Sequence, residues 1–566
     1  MRSSRRSEPR GSLLADMDVD PFLQDPPRPS NRFRTDRTLR QGLERLLEPD
    51  VFAEVSPELD ALGERARTEL RELGERAEAN PPRHVPFDAW GRRVDRLEVD
   101  PSWTRLVEMA LEVGLVAIPY EDRYGVRSRV VQGAVSNLFD PVTATATCPI
   151  AMTDAAARVL LTHDEALAAT YVPRLTARTG GWTSGQWMTE KEGGSDVGRT
   201  GTVARDLGDG TYSLHGTKWF TSATTADMTL ALARPEGAEE GSRGLSLFLL
   251  ELRRADGSWN GITVRRLKDK LGTRGLPTAE LDLDGTIAVP VGGLGRGVAK
   301  ISGMLNITRL GAAGSCAATT GEALSLARDY ATRREAFGAR LVDLPVHQRW
   351  IARLAAEYEA MMAMTLRGAV LVGEVEHGGG DAALTRLVTP LTKLACARQG
   401  VWAVSELIES FGGAGYLEDT GLPRLLRNVH VHCIWEGTTS VMALDVIRAL
   451  MTSGGAEAFL DDVEARARAF DHPLIADAAR TVLAARDALR PMLAEPRMEE
   501  ARRLGWGMAR TYQAALLCEA AGWALDKHGD RRTATAAALF TAEPLLADAP
   551  RIEDEADLAA LAFDLE

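Results

Sequence analysis

Gln186-Trp187-Met188-Thr189-Glu190-Lys191-Glu192-Gly193-Gly194-Ser195-Asp196 stands where the chain changes its rhythm. Upstream, apolar residues recur at helical spacing: Leu43, Leu46 and Leu47, then Leu106, Met109, Ala110 and Val113. This predicts helices over 41–185, interrupted by prolines 81, 82 and 86. Downstream the period drops to two. Tyr212-Ser-Leu-His-Gly, Thr229-Leu-Ala-Leu-Ala and Leu245-Ser-Leu-Phe-Leu-Leu read as short strands, with Asp209-Gly210 and Asp284-Gly285 as turns between such runs. Residues 186–292 are therefore predicted to form a compact antiparallel β domain, a small barrel or sandwich. Past Gly297 long helices return over 293–450, with Trp350, Leu354, Met361, Thr365 and Leu366 as one stripe. A last helical region, 451–566, carries Leu504, Met508, Tyr512, Leu516 and Trp523 on one face. Such Met and Trp stripes read as core packing. Residues 1–40 mix Arg, Asp, Pro and Ser without period, the pattern of a loosely packed arm. The predicted fold is mainly α with a central β domain.

Composition excludes several classes. The 566 residues are 45% apolar and 26% charged with a net charge of −13, which is neither disordered, collagenous nor a disulfide scaffold. No apolar run approaches the ~20 residues of a membrane helix. The arginines at the start are followed by no apolar stretch of the secretory type, and the five cysteines lack CxxC spacing. Both features predict a cytoplasmic protein with reduced thiols. The acidic balance argues against nucleic acid as the main partner. Sixty of the 67 basic residues are arginine. With the heavy Ala and Gly usage this reads as codon bias before it reads as a binding signal.

Three segments carry chemistry. In 186–196 two glycines followed by Ser195-Asp196 make a tight backbone able to face an anion or a flat polar ring, although most such loops are only turns. His215-Gly-Thr-Lys-Trp219-Phe220-Thr221-Ser222 joins an aromatic pair to two hydroxyls, which a strand end with a core tryptophan would also do. In Ile434-Trp435-Glu436-Gly437-Thr438-Thr439-Ser440 a threonine can cap the following helix, and Glu436 precedes its positive end. That carboxylate is either a structural partner of the helix dipole or a base made stronger by a dry pocket once substrate binds. Spacing alone leaves the two readings even.

In this order, around a β domain, the segments resemble the acyl-CoA dehydrogenase flavoprotein family. The resemblance runs through 188–196, Gly216–Thr221, Lys268–Arg274, Thr308-Arg309, Arg334–Gly338, His347-Gln348, Phe411–Tyr416 and Ile434–Thr438. Asn80-Pro-Pro, Gly91-Arg-Arg-Val-Asp-Arg, Cys148-Pro-Ile and Leu444–Leu450 are similar to the AidB-like branch, linked to the bacterial response to DNA alkylation. The resemblance implies an N-terminal helical domain, a β-barrel domain, a C-terminal four-helix bundle and an extra helical domain after about 450. It implies FAD between barrel and bundle. Gln186, Met188, Thr189 and Ser195 would line the flavin from the first loop, and Trp219, Phe220, Thr221 and Ser222 from the second. Arg334, Phe337 and Gln348 would reach the FAD of a neighbouring subunit, with Gly412 and Gly413 allowing close approach. Thr438 and Ser440 would touch the cofactor beyond the base. A site shared in this way implies an oligomer, usually a homotetramer.

Glu436 matches the family's catalytic base. Some members carry the base before the Thr-Arg arginine; here that position is Thr308, which cannot serve, and Arg309 would sit near substrate and base and tune its charge. The implied reaction is α,β-dehydrogenation of a short or branched acyl-CoA, weak in the AidB branch, with electron-transfer flavoprotein or another acceptor taking the electrons. The pattern also departs from the family: Glu409 replaces the usual Gln before Phe411-Gly-Gly, and Trp435 replaces a Tyr. A second hypothesis is a DNA-associated alkylation-protection protein with a vestigial or repurposed flavin site. Residues 451–566, where that role would sit, hold 13 Arg and Lys against 21 Asp and Glu, a net of −8, which disfavours DNA. The Arg502-Arg503 and Arg531-Arg532 pairs read as solvated helix faces. An acyl-CoA oxidase is a third, less well matched by the motifs; the final Phe-Asp-Leu-Glu is no peroxisomal signal.

Overall fold

The structure is a computed structural model and describes residues 25–547 and 555–564. The helices of the N-terminal region are Arg32–Thr35, Arg37–Leu46, Pro49–Arg67, Glu69–Ala79, Pro101–Glu112, Ser128–Phe139, Thr147–His163 and Glu165–Leu175. Local chemistry sets their starts. Pro49 and Pro101 occupy first turns, where a missing N–H costs nothing, and the Asp36, Asp100 and Asp164 carboxylates each accept a backbone N–H at an N-cap.

Two expectations are corrected here. The arm predicted over 1–40 joins the core from Asn31 onward, while residues 1–24 lie outside the described residues. Arg32 is buried with both terminal guanidinium nitrogens engaged, by Asp36 (3.0 Å), the Tyr358 hydroxyl (3.0 Å) and the carbonyls of Asn137 and Ala318. Nor is 41–185 helical throughout. The prolines at 81, 82 and 86 give way to a hairpin, Arg83–Phe87 with Arg93–Glu98, and Pro86 falls at its bulge, where no ladder N–H is needed.

The central strands are Ser184–Trp187, Val203–Asp206, Tyr212–Ser222, Met228–Pro235, Ser246–Glu251, Ile262–Leu267 and Thr278–Pro290. Five of them close a circuit: 228–235 pairs 203–206, which pairs 212–222, then 278–290, then 246–251, which returns to 228–235. The other two flank it. The expected all-antiparallel pairing is wrong in two places, since 184–187 and 203–206 both run parallel to 228–235. Closure removes sheet edges that would otherwise invite intermolecular pairing.

The helices Gly297–Arg333, Pro345–Glu376, Ala382–Glu409 and Thr439–Ser453 form the bundle. Trp350 leaves the predicted stripe: it is 41% exposed, and its indole donates to Glu406 (3.1 Å). Beyond it lie Gly455–Ala467, Ala476–Ala494, Ala501–His528 and Arg532–Thr541. Leu504, Met508, Tyr512 and Leu516 share one buried cluster with Leu387, Leu391, Met442 and Val446 of the bundle. A buried Arg510–Glu357 pair (2.6 Å) crosses the same interface. The terminal helices therefore extend the bundle core rather than standing apart from it. In each of the two arginine pairs one member is engaged, Arg503 with Glu500 (2.5 Å) and Arg532 with Glu359. Among the described residues no helix is long and apolar enough to cross a membrane.

Candidate active site

The site begins with a strained turn. Glu436 has φ +56° and Gly437 φ +104°, between a short 3-10 turn at 431–433 and the helix Thr439–Ser453. The φ of +104° favours glycine, and a Cβ at Gly437 would also press Met442 Cε (2.5 Å) and Val441 Cγ1 (3.1 Å). Thr438 caps the helix, its hydroxyl accepting from the Val441 N–H (3.4 Å). The turn aims the Glu436 carboxylate into a cavity of about 1110 Å³ between barrel, bundle and N-terminal helices.

One polar contact orients this carboxylate: the Thr308 hydroxyl donates to Glu436 Oε2 (2.9 Å). Arg309 sits beside Glu436, at its backbone rather than its carboxylate. Its Nε lies 3.4 Å from the Glu436 carbonyl oxygen, and its Nη1 binds Asp445 (2.8 Å), which Arg386 also grips (2.6 and 3.1 Å). Burial alone would raise the Asp445 carboxyl; the two guanidiniums hold it below its ordinary value. Lys393 donates to the Gly437 carbonyl. Burial pulls the Lys393 ammonium down to about 8. The Trp435 indole donates to His432 Nδ1 (2.9 Å), and burial, helped by the Lys393 charge, pushes His432 down to about 3, so it is neutral at pH 7.

The first loop faces Glu436 across the cavity, with Gln186, Met188, Thr189 and Ser195 in the wall. Phe220 and Ser222 line it from the second segment. Trp219 and Thr221 serve behind that wall: the Trp219 N–H donates to the Thr189 carbonyl (3.0 Å), tying the segments together, and the buried Thr221 hydroxyl donates to Ala279 (2.8 Å). Lys268 Nζ sits 3.5 Å from the Trp219 ring centroid and 4.6 Å from that of Phe220, while binding Glu280 (2.7 Å). Beneath the wall a buried ion pair joins two of the motif runs. Lys218 Nζ binds Glu190 (2.6 Å) and the Leu232 carbonyl (2.7 Å), and Glu190 also accepts from Gly201 N (2.6 Å) and Thr202 Oγ1 (2.5 Å).

Of the remaining candidates, Thr438 and Arg309 line the cavity and Ser440 does not. Arg334, Phe337, Gln348, Gly412 and Gly413 are exposed and lie outside its wall; Phe337, at the tip of the hairpin 335–340, is 99% exposed. Sequence reasoning missed Lys393, Asp445, Lys268 and the Lys218–Glu190 pair. One signal could have found three of them. In a chain with seven lysines against sixty arginines, a lysine inside a motif run or an apolar helix stands out, because a compact ammonium fits where a guanidinium fork does not.

The chain is similar to known proteins over most of its length. Residues 24–179 match the model for the adaptive response protein AidB N-terminal domain, 185–286 that for the acyl-CoA dehydrogenase middle domain, and 295–451 that for the acyl-CoA dehydrogenase C-terminal domain. The chain is 46% identical over 443 residues to acyl-CoA dehydrogenase family member 11 of Caenorhabditis elegans, covering 75% of this chain and 72% of that one. It is 35% identical over 433 residues to the putative acyl-CoA dehydrogenase AidB of Escherichia coli K12, covering 73% and 78%. The crystal structure of Caenorhabditis elegans ACDH-11 in complex with C11-CoA superposes with a TM-score of 0.91 at 38% identity over 97% of both chains.

Proposed function

Because the chain belongs to the acyl-CoA dehydrogenase family, in its AidB-like branch, we propose that it is an FAD-dependent acyl-CoA dehydrogenase with Glu436 as base. The observation that carries this reading is the Glu436 carboxylate, held by Thr308 and aimed into the large cavity opposite the first loop. The wall suits a flavin. Gln186 Oε1 is buried with no hydrogen-bond partner, and the hydroxyls of Thr189, Ser195 and Ser222 stand around the same space. FAD supplies the acceptor for the hydride that leaves Cβ of the acyl chain. The protein supplies the rest. Glu436 takes the α-proton, Thr308 keeps its oxygen on line, and Phe220 and Met188 supply apolar wall to the cavity.

The cavity runs beyond Glu436 between the helices Ser128–Phe139 and Pro345–Glu376, where Gly133, Leu366 and Ala369 line it. That depth, with the C11-CoA held by the similar nematode protein, favours a straight chain of medium length over the short or branched acyl group expected from the AidB branch. Anaerobic titration of the purified flavoprotein with butyryl-, isovaleryl- and undecanoyl-CoA tests both statements. Undecanoyl-CoA is expected to bleach the flavin absorbance fastest. Faster bleaching by isovaleryl-CoA would reverse the chain-length assignment, and silence across the panel would remove the dehydrogenase reading.

Arg334, Phe337, Gln348, Gly412 and Gly413 are assigned to the FAD of a neighbouring subunit in a homotetramer. A phenylalanine left fully in solvent at a hairpin tip is an unmet apolar contact of the kind interfaces cover. Phe337→Asp is expected to lower the mass measured by light scattering and to leave less flavin bound per chain. Wild-type mass together with wild-type flavin content would rule out the shared site.

A further inference from the structure

The turn that carries Glu436 does not hold itself. A non-glycine residue at positive φ is strained, and such strain persists only where surroundings over-determine it. The two successive carbonyls of this turn are each taken by a cation. Arg309 approaches the Glu436 oxygen at 3.4 Å, from the helix Gly297–Arg333, and Lys393 binds the Gly437 oxygen from the helix Ala382–Glu409. Arg309 is shared with Asp445, whereas the Gly437 carbonyl is the sole hydrogen-bond acceptor of Lys393 among the described residues, and no carboxylate lies within ion-pair distance of Lys393.

Lys393 is 1% exposed on a helix whose neighbours are Leu394, Ala395 and Cys396. A buried ammonium without an ion pair is costly, and methionine or leucine would fill that volume with no such cost. Packing therefore does not explain the residue; the carbonyl it holds does. The titratable groups that act on the ammonium are Cys316, Glu436 and Cys433, which favour its charge, and Arg309, whose like charge opposes it. Nearby His432 is neutral, occupied by Trp435, and adds no competing charge at pH 7.

We propose that Lys393 is a positioning residue for the reaction: by holding the Gly437 carbonyl it keeps the turn in the conformation that presents the Glu436 carboxylate to the α-carbon. This inference rests on the reading of Glu436 as base. Lys393 does not line the cavity, and its effect runs through the backbone of the turn.

Lys393→Met in the full-length, flavin-loaded protein tests it, with two independent readouts. Amide hydrogen exchange over 431–441 is expected to quicken ~10- to 100-fold, the worth of one lost hydrogen bond from a charged donor. The limiting rate of flavin reduction by acyl-CoA should fall ~10- to 100-fold on the same grounds, with acyl-CoA affinity and flavin content unchanged. Unchanged exchange overturns the proposal. So does faster exchange with a wild-type reduction rate, or a loss that falls equally on affinity and flavin content. Should the variant fail to fold, Lys393→Gln, which removes the charge and shortens the reach to the Gly437 carbonyl, is read by the same two measurements with the same overturning outcomes. A wild type that no acyl-CoA bleaches sinks the dehydrogenase reading instead, and the exchange readout continues to report whether Lys393 holds the turn.

Discussion

Glu436→Gln is expected to slow flavin reduction by acyl-CoA by ~100- to 10,000-fold, the range lost when a positioned general base is removed. The substitution isolates basicity from shape. Glutamine keeps the length of glutamate, its carbonyl oxygen can still accept from the Thr308 hydroxyl, and the left-handed backbone at 436 is equally strained in both. Flavin content and acyl-CoA affinity should therefore stay within about threefold of wild type, because uniform binding is not what the base contributes. Stopped-flow absorbance gives rate and affinity in one titration. A Gln variant that reduces its flavin at the wild-type rate would remove Glu436 from the mechanism. With Thr308 unable to act as a base, the α-proton would then need a base from elsewhere in the cavity.

How much of this was readable from the sequence follows from the range of each interaction. Period-2 and period-3.6 patterning report one residue's neighbours on its own element, so the switch near residue 186 and the return of helices after 297 were legible. Pairing partners are not encoded in that way. The arm failed as an expectation from Asn31 because the burial of Arg32 depends on Tyr358, Asn137 and Ala318, which lie 105 to 326 residues away. The parallel strands failed because alternation is the same whichever way a neighbour runs. At the site, Glu436 was visible as a motif residue beside a helix start. Of the cations that hold its turn, Arg309 was visible beside it in the motifs, though not its reach to backbone, and Lys393 was not, since it reads as one polar residue in an apolar helix. The scarcity of lysine was on view from the start, and its meaning emerges only once Lys218, Lys268 and Lys393 are seen at or behind the cavity wall.

Lys218→Met should be the most damaging single change to the barrel, at about 3–5 kcal/mol, because it leaves the Glu190 carboxylate buried and unpaired. Both side chains are almost wholly enclosed, Lys218 at 0% and Glu190 at 3% exposure, so water cannot replace the lost ammonium. Thr202 and Gly201 would remain as donors, yet neither supplies charge. The same pair ties the Met188–Asp196 loop to the strand carrying Trp219, so the damage should reach the flavin wall as well as the fold. Burial alone would raise the Glu190 carboxyl; Lys218, with Thr202 and Gly201, brings it below its ordinary value. Its contribution is therefore present at neutral pH and is lost as pH falls through the carboxylate range. In the variant that protection is absent, and protonation of Glu190 relieves the unpaired charge, so the gap in melting temperature between wild type and Lys218→Met should narrow from pH 7 to pH 4.5. The double variant Glu190→Gln/Lys218→Met separates a charge effect from a packing effect. If the unpaired carboxylate is the cost, the double variant melts higher than Lys218→Met alone and retains more flavin. A double variant that melts no higher than Lys218→Met would place the cost in the lost packing of the lysine stem and the orphaned Leu232 carbonyl instead.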